Sequence, residues 1–365
     1  MSNVDPERWL ADLRSAVAHR VHGALAESAR QYQGVGVEVD DLFRVGQDLL
    51  TGGKRLRAAF VAAGWSAFGG EDLSPVIVRA GAGLELFQMA ALVHDDVIDD
   101  SDTRRGRPAA HRQFAALHEE HGMLGSADRF GRSAAVLLGD LLLVAARREL
   151  EQAVTQCAAH AQAPSRRIIG DMMTEVTVGQ YLDIYAQSVP WSRDPAVDLD
   201  RARRVIRSKS ARYSIEHPLR LGAALAGADE SGLAVCSRIG LPIGEAFQLR
   251  DDVLGVYGDP AVTGKPAGDD LREGKRTVLL TLAVLRAGAE QRDLLRRHIG
   301  DSGLQPGQVE TVRSILSETG ARQEVETLIE ERVATGLAEL ASAAVAPHAA
   351  AVLRALTTAA VSRSA

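Results

Sequence analysis

Two clusters of aspartates, each placed after an apolar stretch, are the residues best able to carry chemistry. In the first cluster, Asp95 and Asp96 are followed by Asp99, one helical turn after Asp95. On a helix, Asp95 and Asp99 would share a face and repel each other. Mg²⁺ would remove this repulsion, because it binds one or two carboxylates together with phosphate oxygens and water. The alternative, a solvated acidic helix end, suits Asp100 and Asp102 better than Asp95, which directly follows apolar residues.

The second cluster, Asp251 and Asp252, ends another apolar segment, and Gln248 would share a helix face with Asp252. Alone, this pair is weak evidence of a metal site, because Arg250 could neutralise it. Two helices of a bundle that each carry an aspartate pair can, however, point their acids into one cavity. Opposed carboxylates around several Mg²⁺ ions would then bind a diphosphate.

Basic residues that could bind phosphate accompany both clusters. A Gly-Gly-Lys-Arg-Leu-Arg segment from residue 52 opens a predicted helix, where Gly53 leaves backbone amides accessible to an anion. Lys54 and Arg57 can reach one phosphate group, although the helix macrodipole disfavours cations at this end unless an anion is bound. Arg104 and Arg105 follow the first cluster, and a guanidinium group binds phosphate bidentately. Three lysines in other polar segments are further candidates: Lys209, which alone could be a surface residue, Lys265 and Lys275.

Helices are the elements predicted to position these residues. Alanine, leucine, arginine and glutamate recur and aromatic residues make up only 4% of the chain, which favours helices over strands. No period-two alternation indicates a sheet. Loops are predicted at Arg104–Pro108, Ser188–Pro195 and Gly258–Gly274. Helical periodicity covers residues 5–32, 40–50, 54–69, 74–101, 128–152, 166–187, 200–226, 229–258, 275–298, 307–318, 321–344 and 348–363.

Composition and length set the broad class. No linker divides the 365 residues, so we expect one all-α domain over residues 1–365, with residues 1–39 as an N-terminal helical extension. The net charge of −6 argues against nucleic-acid binding. Cys157 and Cys236 fit no zinc or redox pattern, which is typical of a reducing cytoplasm. The longest apolar run, Ala134–Ala146, is shorter than the roughly 20 residues of a membrane span, and we expect neither a span nor a secretory signal.

Together and in order, these motifs resemble the trans-type isoprenyl diphosphate synthases, the polyprenyl synthetase family, and among them the bacterial geranylgeranyl diphosphate synthases. The resemblance runs from about residue 40 to the C-terminus and is carried by three segments: Gly52–Arg57, Asp95–Gly106 with its DDxxD motif, and Gly264–Thr277. It implies the isoprenoid synthase fold, which is a single large helical bundle around a central cavity. It also implies a homodimer.

The resemblance implies a role for each matching residue. Three Mg²⁺ ions are expected, two on Asp95 and Asp99 with Asp96 in support, and one on Asp251. The allylic diphosphate (dimethylallyl, geranyl or farnesyl) would contact Arg104, Lys209 and Lys265. Isopentenyl diphosphate would contact Lys54, Arg57, Gln88 and Arg105. Gln248 would lie near the reacting carbons, and Gln180 and Asp183 would line the cavity. Gly53, Ser210 and Lys275 complete the expected substrate-binding set.

The expected reaction is Mg²⁺-assisted ionisation of the allylic diphosphate, followed by attack of isopentenyl diphosphate. Family behaviour implies that bulky aromatic residues four or five positions before the first motif limit products to fifteen carbons. Ala91 and Ala90 occupy those positions and are both small, so we expect geranylgeranyl diphosphate as the product. Phe87 is one residue that could close the floor of the product cavity. The chain departs from the family pattern at Gly255, where the full second motif has a third aspartate, and at Ala58, where proline is frequent.

Three other functions fit parts of this pattern. A terpene cyclase would share the bundle and the metals, but it would have no use for the second anion site formed by Lys54, Arg57 and Arg105. A non-catalytic subunit of a heteromeric synthase would be expected to lose one acidic motif, and both are kept. A metal-binding helical scaffold would not explain the many phosphate-type cations beside the acids.

Overall fold

A computed structural model describes residues 5–258 and 268–362. These residues form helices joined by short turns, with one two-stranded hairpin as the only sheet in the described ranges. The predicted all-α class is therefore confirmed. Lys265, one of the predicted phosphate-binding lysines, lies outside the described residues. The chain groups into two compact units, so the single-domain boundary stays a prediction.

Unit 1 comprises Met1–Arg166, Leu221–Asp229 and Ala346–Val352. Its helix α4 is apolar on almost every side and packs against α6, α3 and α1. Side chains of α4 such as Leu84, Leu86 and Ala90 are therefore fully buried. The helices and strands of the unit are α1 (Pro6–Tyr32), a 3₁₀ turn (Val37–Val39), α2 (Asp40–Leu49), α3 (Leu56–Ala67), α4 (Pro75–Ile98), β1 (Thr103–Arg104), β2 (Arg107–Pro108), α5 (Ala110–Glu120) and α6 (Ala127–Gln156).

Unit 2 comprises Arg167–Arg220, Glu230–Val345 and Leu353–Ala365. Its core is an aliphatic cluster that includes Val253, Leu279 and Leu316, and its helix α10 packs against a π-helix and α15. The helices are α7 (Ala159–Ser188), α8 (Pro195–Val205), the π-helix (Ile206–Glu216), α9 (His217–Leu225), α10 (Glu230–Tyr257), α11 (Asp269–Arg272), α12 (Val278–Arg286), α13 (Ala289–His298), α14 (Pro306–Glu318), α15 (Ala321–Ser342) and α16 (Pro347–Val361). Helices α7, α9 and α16 begin in one unit and end in the other.

The hairpin corrects the prediction of a loop at Arg104–Pro108 and of no sheet. Thr103 pairs with Pro108 and Arg104 with Arg107, which leaves Arg105 and Gly106 as a two-residue turn. Both turn residues have positive φ, 54° and 72°. This combination is the type I′ turn that closes two-residue hairpins. Strands of two residues are too short to show an alternating pattern in the sequence.

Other element boundaries also differ from the prediction. Helix α5 was not predicted, because Phe114 is its one large buried apolar side chain and its other buried positions include His111 and His118. The predicted helix at 275–298 is two helices, and the one at 200–226 is three consecutive segments that include the π-helix. Helix α11 lies inside a predicted loop, and α7 begins earlier than residue 166.

Among the described residues, one helix is long and apolar enough to cross a bilayer by length and composition, namely Pro75–Ile98. Most of its apolar window is buried inside the fold, as in the core helix of a soluble protein. The absence of a membrane span stays a prediction.

Candidate active site

The first acidic cluster lies at the C-terminal end of α4. Asp95 and Asp99 are one turn apart, and the backbone N–H of Asp99 donates to the Asp95 carbonyl at 2.8 Å. The chain then turns away through Asp100, which has a φ of 54°. Asp95 and Asp99 are half-buried, whereas Asp96 is buried with only 2% of its surface exposed. The three carboxylates therefore do not have equivalent environments.

Arg104 connects this cluster to the hairpin. Its Nε donates to Asp96 Oδ1 at 2.9 Å, and one of its Nη atoms forms a second, shorter contact with the same oxygen. The same guanidinium lies 3.8 Å from Asp95 Oδ2. Strand β1 thus places a cation directly beside the two first aspartates. This contact was not predicted, because the resemblance assigned Arg104 to a substrate diphosphate alone.

Asp100 and Asp102 belong to a different ion-pair network. Arg112 donates to Asp102 at 2.6 Å, and Arg132 donates to Asp100 at 2.7 Å. Both arginines also contact Asp128, and all of these side chains are exposed or nearly so. Exposed ion pairs contribute little to stability. These two acids lie at a solvated surface, as the sequence indicated, and each forms an ion pair with an arginine.

The basic side of unit 1 is built around the turn before α3. The Arg105 guanidinium lies against the backbone of Gly53, where a Cβ atom would meet its Nη1 at 3.0 Å. Crowding by surrounding protein atoms lowers the pKa of Arg105, although the residue retains exposed surface, and Glu85 opposes that effect. The cations close enough to lower its pKa further are Arg55, Arg104 and Arg57. Gly53, Arg57, Arg104 and Arg105 therefore lie together, next to the first acidic cluster.

An ion pair that the sequence reasoning missed supports this basic turn. Arg55 and Glu85 are each 5% exposed and lie 3.4 Å apart. Arg55 donates to the Leu50 carbonyl at 2.5 Å, and Glu85 accepts from the Ala58 backbone N–H at 3.4 Å. Glu85 is the single charged residue between Arg79 and Asp95. A lone charge within an apolar segment is a signal from which a buried ion pair could have been predicted. The pair fixes the ends of the segment that carries Lys54.

The remaining predicted residues of unit 1 lie on or beside these two elements. Lys54 is exposed, and its carbonyl accepts from Arg14 at 3.2 Å. Gln88 and Ala91 are half-buried on α4, on the side that ends at Asp95. Ala90 is 0% exposed and Phe87 is 4% exposed.

The second acidic cluster lies in the last turns of α10 in unit 2. Gln248 donates to Asp252 Oδ1 at 2.8 Å, whereas Oδ2 of Asp252 has no hydrogen-bond partner among the described residues. Burial raises the pKa of Asp252 well above its usual range, and the neighbouring negative charges add to this rise against the Gln248 hydrogen bond. Those charges belong to Asp270, Asp251 and Asp183. A buried carboxylate oxygen without a partner, among three further acids, fits a cation.

Arg250 does not neutralise this cluster. Its two Nη atoms donate to the Glu326 carboxylate at 2.8 and 2.7 Å, and its Nε donates to the Val361 carbonyl. The alternative interpretation, in which Arg250 neutralises the aspartate pair, is therefore wrong. The guanidinium is used to hold α10 against α15.

The π-helix positions Lys209, whose Nζ donates to Asp183 Oδ2 at 2.6 Å. Gly179 on α7 permits this approach, because a Cβ atom there would lie 2.4 Å from the Lys209 backbone nitrogen. Gly244 on α10 permits a second close approach to the π-helix, because a Cβ atom there would lie 2.3 Å from the Ala211 carbonyl oxygen. π-helical turns occur frequently at functional sites. Ser210 on the π-helix and Gln180 on α7 are both half-buried.

Lys275 lies beside acids rather than in an open basic position. Its Nζ forms a short contact with Glu273 and lies 3.8 Å from Asp270 Oδ1. Asp270 was not predicted as a site residue, because its approach to α10 depends on a glycine at position 255.

Among the described residues, no group of three or more His, Cys, Asp or Glu side chains is placed to hold a metal ion by itself. Mg²⁺ does not require such a group, because it binds through one or two carboxylates and takes its other oxygens from phosphate and water. The pair Asp95 and Asp99 and the cluster at Asp251 both fit this donor set.

Comparison with known proteins agrees with this chemistry. The chain is 30% identical over 297 residues to a geranylgeranyl diphosphate synthase of Mycobacterium tuberculosis, covering 81% of this chain and 77% of that protein. It is 32% identical to a geranylfarnesyl diphosphate synthase of Aeropyrum pernix, over 66% of this chain and 69% of that one. A Corynebacterium glutamicum geranylgeranyl pyrophosphate synthase, solved with isoprenyl diphosphate and magnesium, superposes with a TM-score of 0.91 at 39% identity, over 97% and 99% of the two chains.

These relatives make products of different lengths, and they include a farnesyl diphosphate synthase of Dictyostelium discoideum that is 30% identical over 73% of this chain and 66% of its own. The polyprenyl synthetase family model matches residues 40–317. This match covers the first acidic cluster, the basic turn, Lys209 and the second acidic cluster. The chain therefore belongs to the polyprenyl synthetase family of prenyltransferases.

Proposed function

We propose that this protein condenses isopentenyl diphosphate with an allylic diphosphate and that its main product is geranylgeranyl diphosphate. The observation that carries the proposal is the grouping of Arg57, Arg104 and Arg105 beside Asp95 and Asp99 in unit 1. A metal-diphosphate site needs the two carboxylates, and a second diphosphate needs the additional cations. A terpene cyclase, which binds a single diphosphate, would not need the second set.

Mg²⁺ supplies charge neutralisation for the departing diphosphate when it is bound, and it would be held by Asp95 and Asp99 in unit 1 and by Asp251 in unit 2. We expect three such ions for each chain. Asp96 contributes indirectly, because it fixes the Arg104 guanidinium at the edge of the cluster. The side chains of the protein and the substrates themselves carry out the other parts of the reaction.

In this mechanism, Lys54, Arg57, Gln88 and Arg105 hold isopentenyl diphosphate, and Arg104, Lys209 and Lys265 stabilise the charge that develops on the leaving diphosphate. Ionisation breaks the allylic C–O bond and leaves an allylic cation. The double bond of isopentenyl diphosphate attacks that cation and forms the new C–C bond. A proton then leaves the adjacent carbon and passes to the released diphosphate. The apolar α4 surface at Ala91 would exclude water, which would otherwise capture the cation.

The test is to incubate the purified protein with isopentenyl diphosphate and each allylic primer, with and without Mg²⁺. Products are dephosphorylated and identified by mass. A Mg²⁺-dependent linear alcohol of twenty carbons supports the proposal. A fifteen-carbon or longer alcohol would correct the product length alone, whereas a cyclic hydrocarbon or unconsumed isopentenyl diphosphate would overturn the reaction.

A matched pair of variants makes this assay specific. Asp95→Asn and Asp102→Asn each remove one carboxylate from the same acidic stretch, but Asp102 belongs to the exposed pair with Arg112. We expect the first variant to lose activity and the second to retain it. Equal activity of the two variants would contradict the assignment of Asp95 to the metal site.

We also propose a homodimer in the cytoplasm. Large apolar side chains remain exposed on one helix of unit 1, with Val136 at 41%, Leu137 at 62% and Val144 at 58% exposure along α6. Exposed apolar surfaces of this kind mark interaction sites. Light scattering after size-exclusion chromatography measures the assembly, and Leu137→Glu should shift it toward the monomer.

A further inference from the structure

The π-helix that carries Lys209 spans Ile206–Glu216, and it ends where the backbone N–H of His217 donates to the Arg212 carbonyl. This hydrogen bond joins residues five apart, whereas the hydrogen bonds of an α-helix join residues four apart. π-helical turns are rare and mostly occur singly, inside α-helices. A π-helix of this length therefore needs contacts outside its own backbone to keep its form.

Glu175 on α7 supplies such a contact at the C-terminal end of the π-helix. Its Oε1 accepts from Nη1 of Arg212 at 2.8 Å, and its Oε2 lies 2.8 Å from Nε2 of His217. Burial raises the pKa of Glu175, but the hydrogen bond from His217 and the charge of Arg212 outweigh burial and lower that pKa below its usual range. The carboxylate is therefore ionised at neutral pH and can only accept, so the buried His217 ring donates from Nε2.

The two donors are five residues apart, and this spacing distinguishes a π-turn from an α-helical turn. In an α-helix, five residues would place Arg212 and His217 about 140° apart around the axis, so that they would point away from a common partner. In a π-turn, residues five apart are joined by the hydrogen bond of one turn and lie on one face. Glu175 therefore stabilises the π-turn rather than the α-helical alternative.

Two glycines on α10 fit the same five-residue spacing. A Cβ atom at Gly244 would lie 2.3 Å from the Ala211 carbonyl oxygen, and one at Gly240 would lie 2.8 Å from the Glu216 Cα. The two glycines are one α-helical turn apart, whereas Ala211 and Glu216 are five residues apart. The backbone of α10 thus packs against two points of the π-helix that are one π-turn apart.

One face of α7 connects this turn to Lys209, because Glu175, Gly179 and Asp183 follow one another at intervals of four residues. Gly179 lies against the backbone of Lys209, and Asp183 accepts from its Nζ at 2.6 Å. A change of the π-helix to α-helical register would shift Lys209 by one residue and turn its side chain about 100° around the axis. The direction of the ammonium group therefore depends on the π-turn.

We propose that Glu175 is a positioning residue for prenyl transfer, which holds the π-turn between Arg212 and His217 and thereby directs Lys209 at the allylic diphosphate. Glu175 acts through Lys209 and not on the substrate itself. The inference rests on the proposed function for the identity of the group that Lys209 binds.

Steady-state kinetics of the full-length protein tests this role. Glu175→Gln keeps the shape of the side chain but leaves one acceptor oxygen, so it cannot accept from both donors. We expect kcat/KM for the allylic primer to fall about 10-fold, while the KM for isopentenyl diphosphate stays at its wild-type value. Asp171→Asn is the matched control, since it neutralises an exposed acid one turn earlier on α7 and should keep wild-type kinetics. Wild-type kcat/KM in Glu175→Gln would overturn the proposal.

A second background shows whether Glu175 acts through Lys209. In Lys209→Gln, the further change Glu175→Gln should lower kcat/KM less than about twofold, because the positioned group is already absent. A full further loss would show that the two residues act independently and would contradict the positioning role. His217→Gln keeps an N–H donor near the position of Nε2 and should remain close to wild type, whereas His217→Leu should reproduce the loss of Glu175→Gln.

Hydrogen–deuterium exchange of the same variants without substrate measures the π-helix directly. We expect the amides of residues 206–217 to exchange about 10-fold faster in Glu175→Gln than in wild type, with α4 of unit 1 unchanged. An unchanged rate in residues 206–217 would show that Glu175 does not hold the turn. Because this measurement needs no activity, an inactive wild-type protein would overturn the proposed function, and the exchange rates would still decide whether Glu175 holds the π-turn.

Discussion

The Nζ atom of Lys209 lies 2.6 Å from Oδ2 of Asp183, and both side chains are largely buried, at 20% and 10% exposure. The π-helix and α7 bring the two residues together by close backbone contact at Gly179. Asp183 thus holds the ammonium group in one direction. A positioned lysine can bind a diphosphate with less loss of side-chain entropy than a free one.

Replacing Lys209 with glutamine should lower kcat/KM for the allylic primer by about 10- to 150-fold, because a hydrogen bond to a charged group contributes about 1.5–3 kcal/mol. Steady-state kinetics with varied primer measures the change. Arg203→Gln is the matched control, since it removes an exposed cation of the preceding helix. Equal losses in both variants would show that net charge, rather than this ammonium group, is responsible.

Asp96→Asn and Asp95→Asn should separate stability from activity. Asp96 is buried against Arg104, so its neutralisation should lower the free energy of unfolding by about 1–3 kcal/mol. Asp95 is half-buried, and its neutralisation should change stability little while it lowers kcat by about a hundredfold or more. Urea denaturation and steady-state kinetics on both variants make the comparison. An Asp96→Asn protein as stable as wild type would contradict the supporting role of Asp96.

The buried pair of Arg55 and Glu85 should be strongly coupled. Removing one partner leaves the other charge buried, which costs about 3–5 kcal/mol. Arg55→Met and Glu85→Gln should therefore each destabilise the protein, and the double variant should lose less than the sum of the two. A double-mutant cycle from urea denaturation measures the coupling, and additive effects would argue against it. In Glu85→Gln, we also expect a higher KM for isopentenyl diphosphate, because the turn at Lys54 loses its support.

The sequence was most informative where chemistry and periodicity coincide. The aspartates at the ends of two apolar helices, and the glycine-rich basic turn, could be located because each is a local pattern. Helices with a continuous apolar face, such as α4 and α10, were predicted to within a few residues. The family comparison confirms the class of fold and enzyme that these patterns indicated.

The features that were missed depend on contacts between distant parts of the chain. Arg55 meets Glu85 across thirty residues, and no local pattern records that pairing. The approach of Asp270 to α10 follows from an absent side chain at Gly255, which the motif registers only as a departure. Helix α5 was missed because buried histidines, rather than aliphatic residues, occupy much of its inner face.

Ala91 and Ala90 are neighbours in the sequence but should respond differently to enlargement. Ala91 is half-buried on the side of α4 that leads to Asp95, so Ala91→Phe should shorten the main product from twenty to fifteen carbons. Ala90 is 0% exposed within the core, so Ala90→Phe should overpack it and lower stability by about 1–3 kcal/mol or more. Product analysis by mass and thermal melting distinguish the two effects. Unchanged product length in Ala91→Phe would contradict this account of the product floor.

His111 should make the protein less stable in mild acid. It is 1% exposed, and neither ring nitrogen has a hydrogen-bond partner among the described residues. Burial, together with the positive charges of Arg112 and Arg132, lowers its pKa from the usual 6.5. The unfolded chain therefore binds this proton more readily than the folded protein. The stability from neutral His111 is complete above pH 6.5 and is lost as the pH falls from 6.5 through the lowered folded-state pKa.

Urea denaturation of wild type and His111→Gln at about pH 7.5 and about pH 5.5 measures this contribution. Wild type should lose more stability between the two conditions than the variant, since glutamine does not titrate. His121→Gln is the control, because His121 lies exposed at the end of the same helix and its replacement should leave the pH dependence of wild type intact. If His111→Gln shows the same pH-dependent loss as wild type, the acid sensitivity arises elsewhere in the chain.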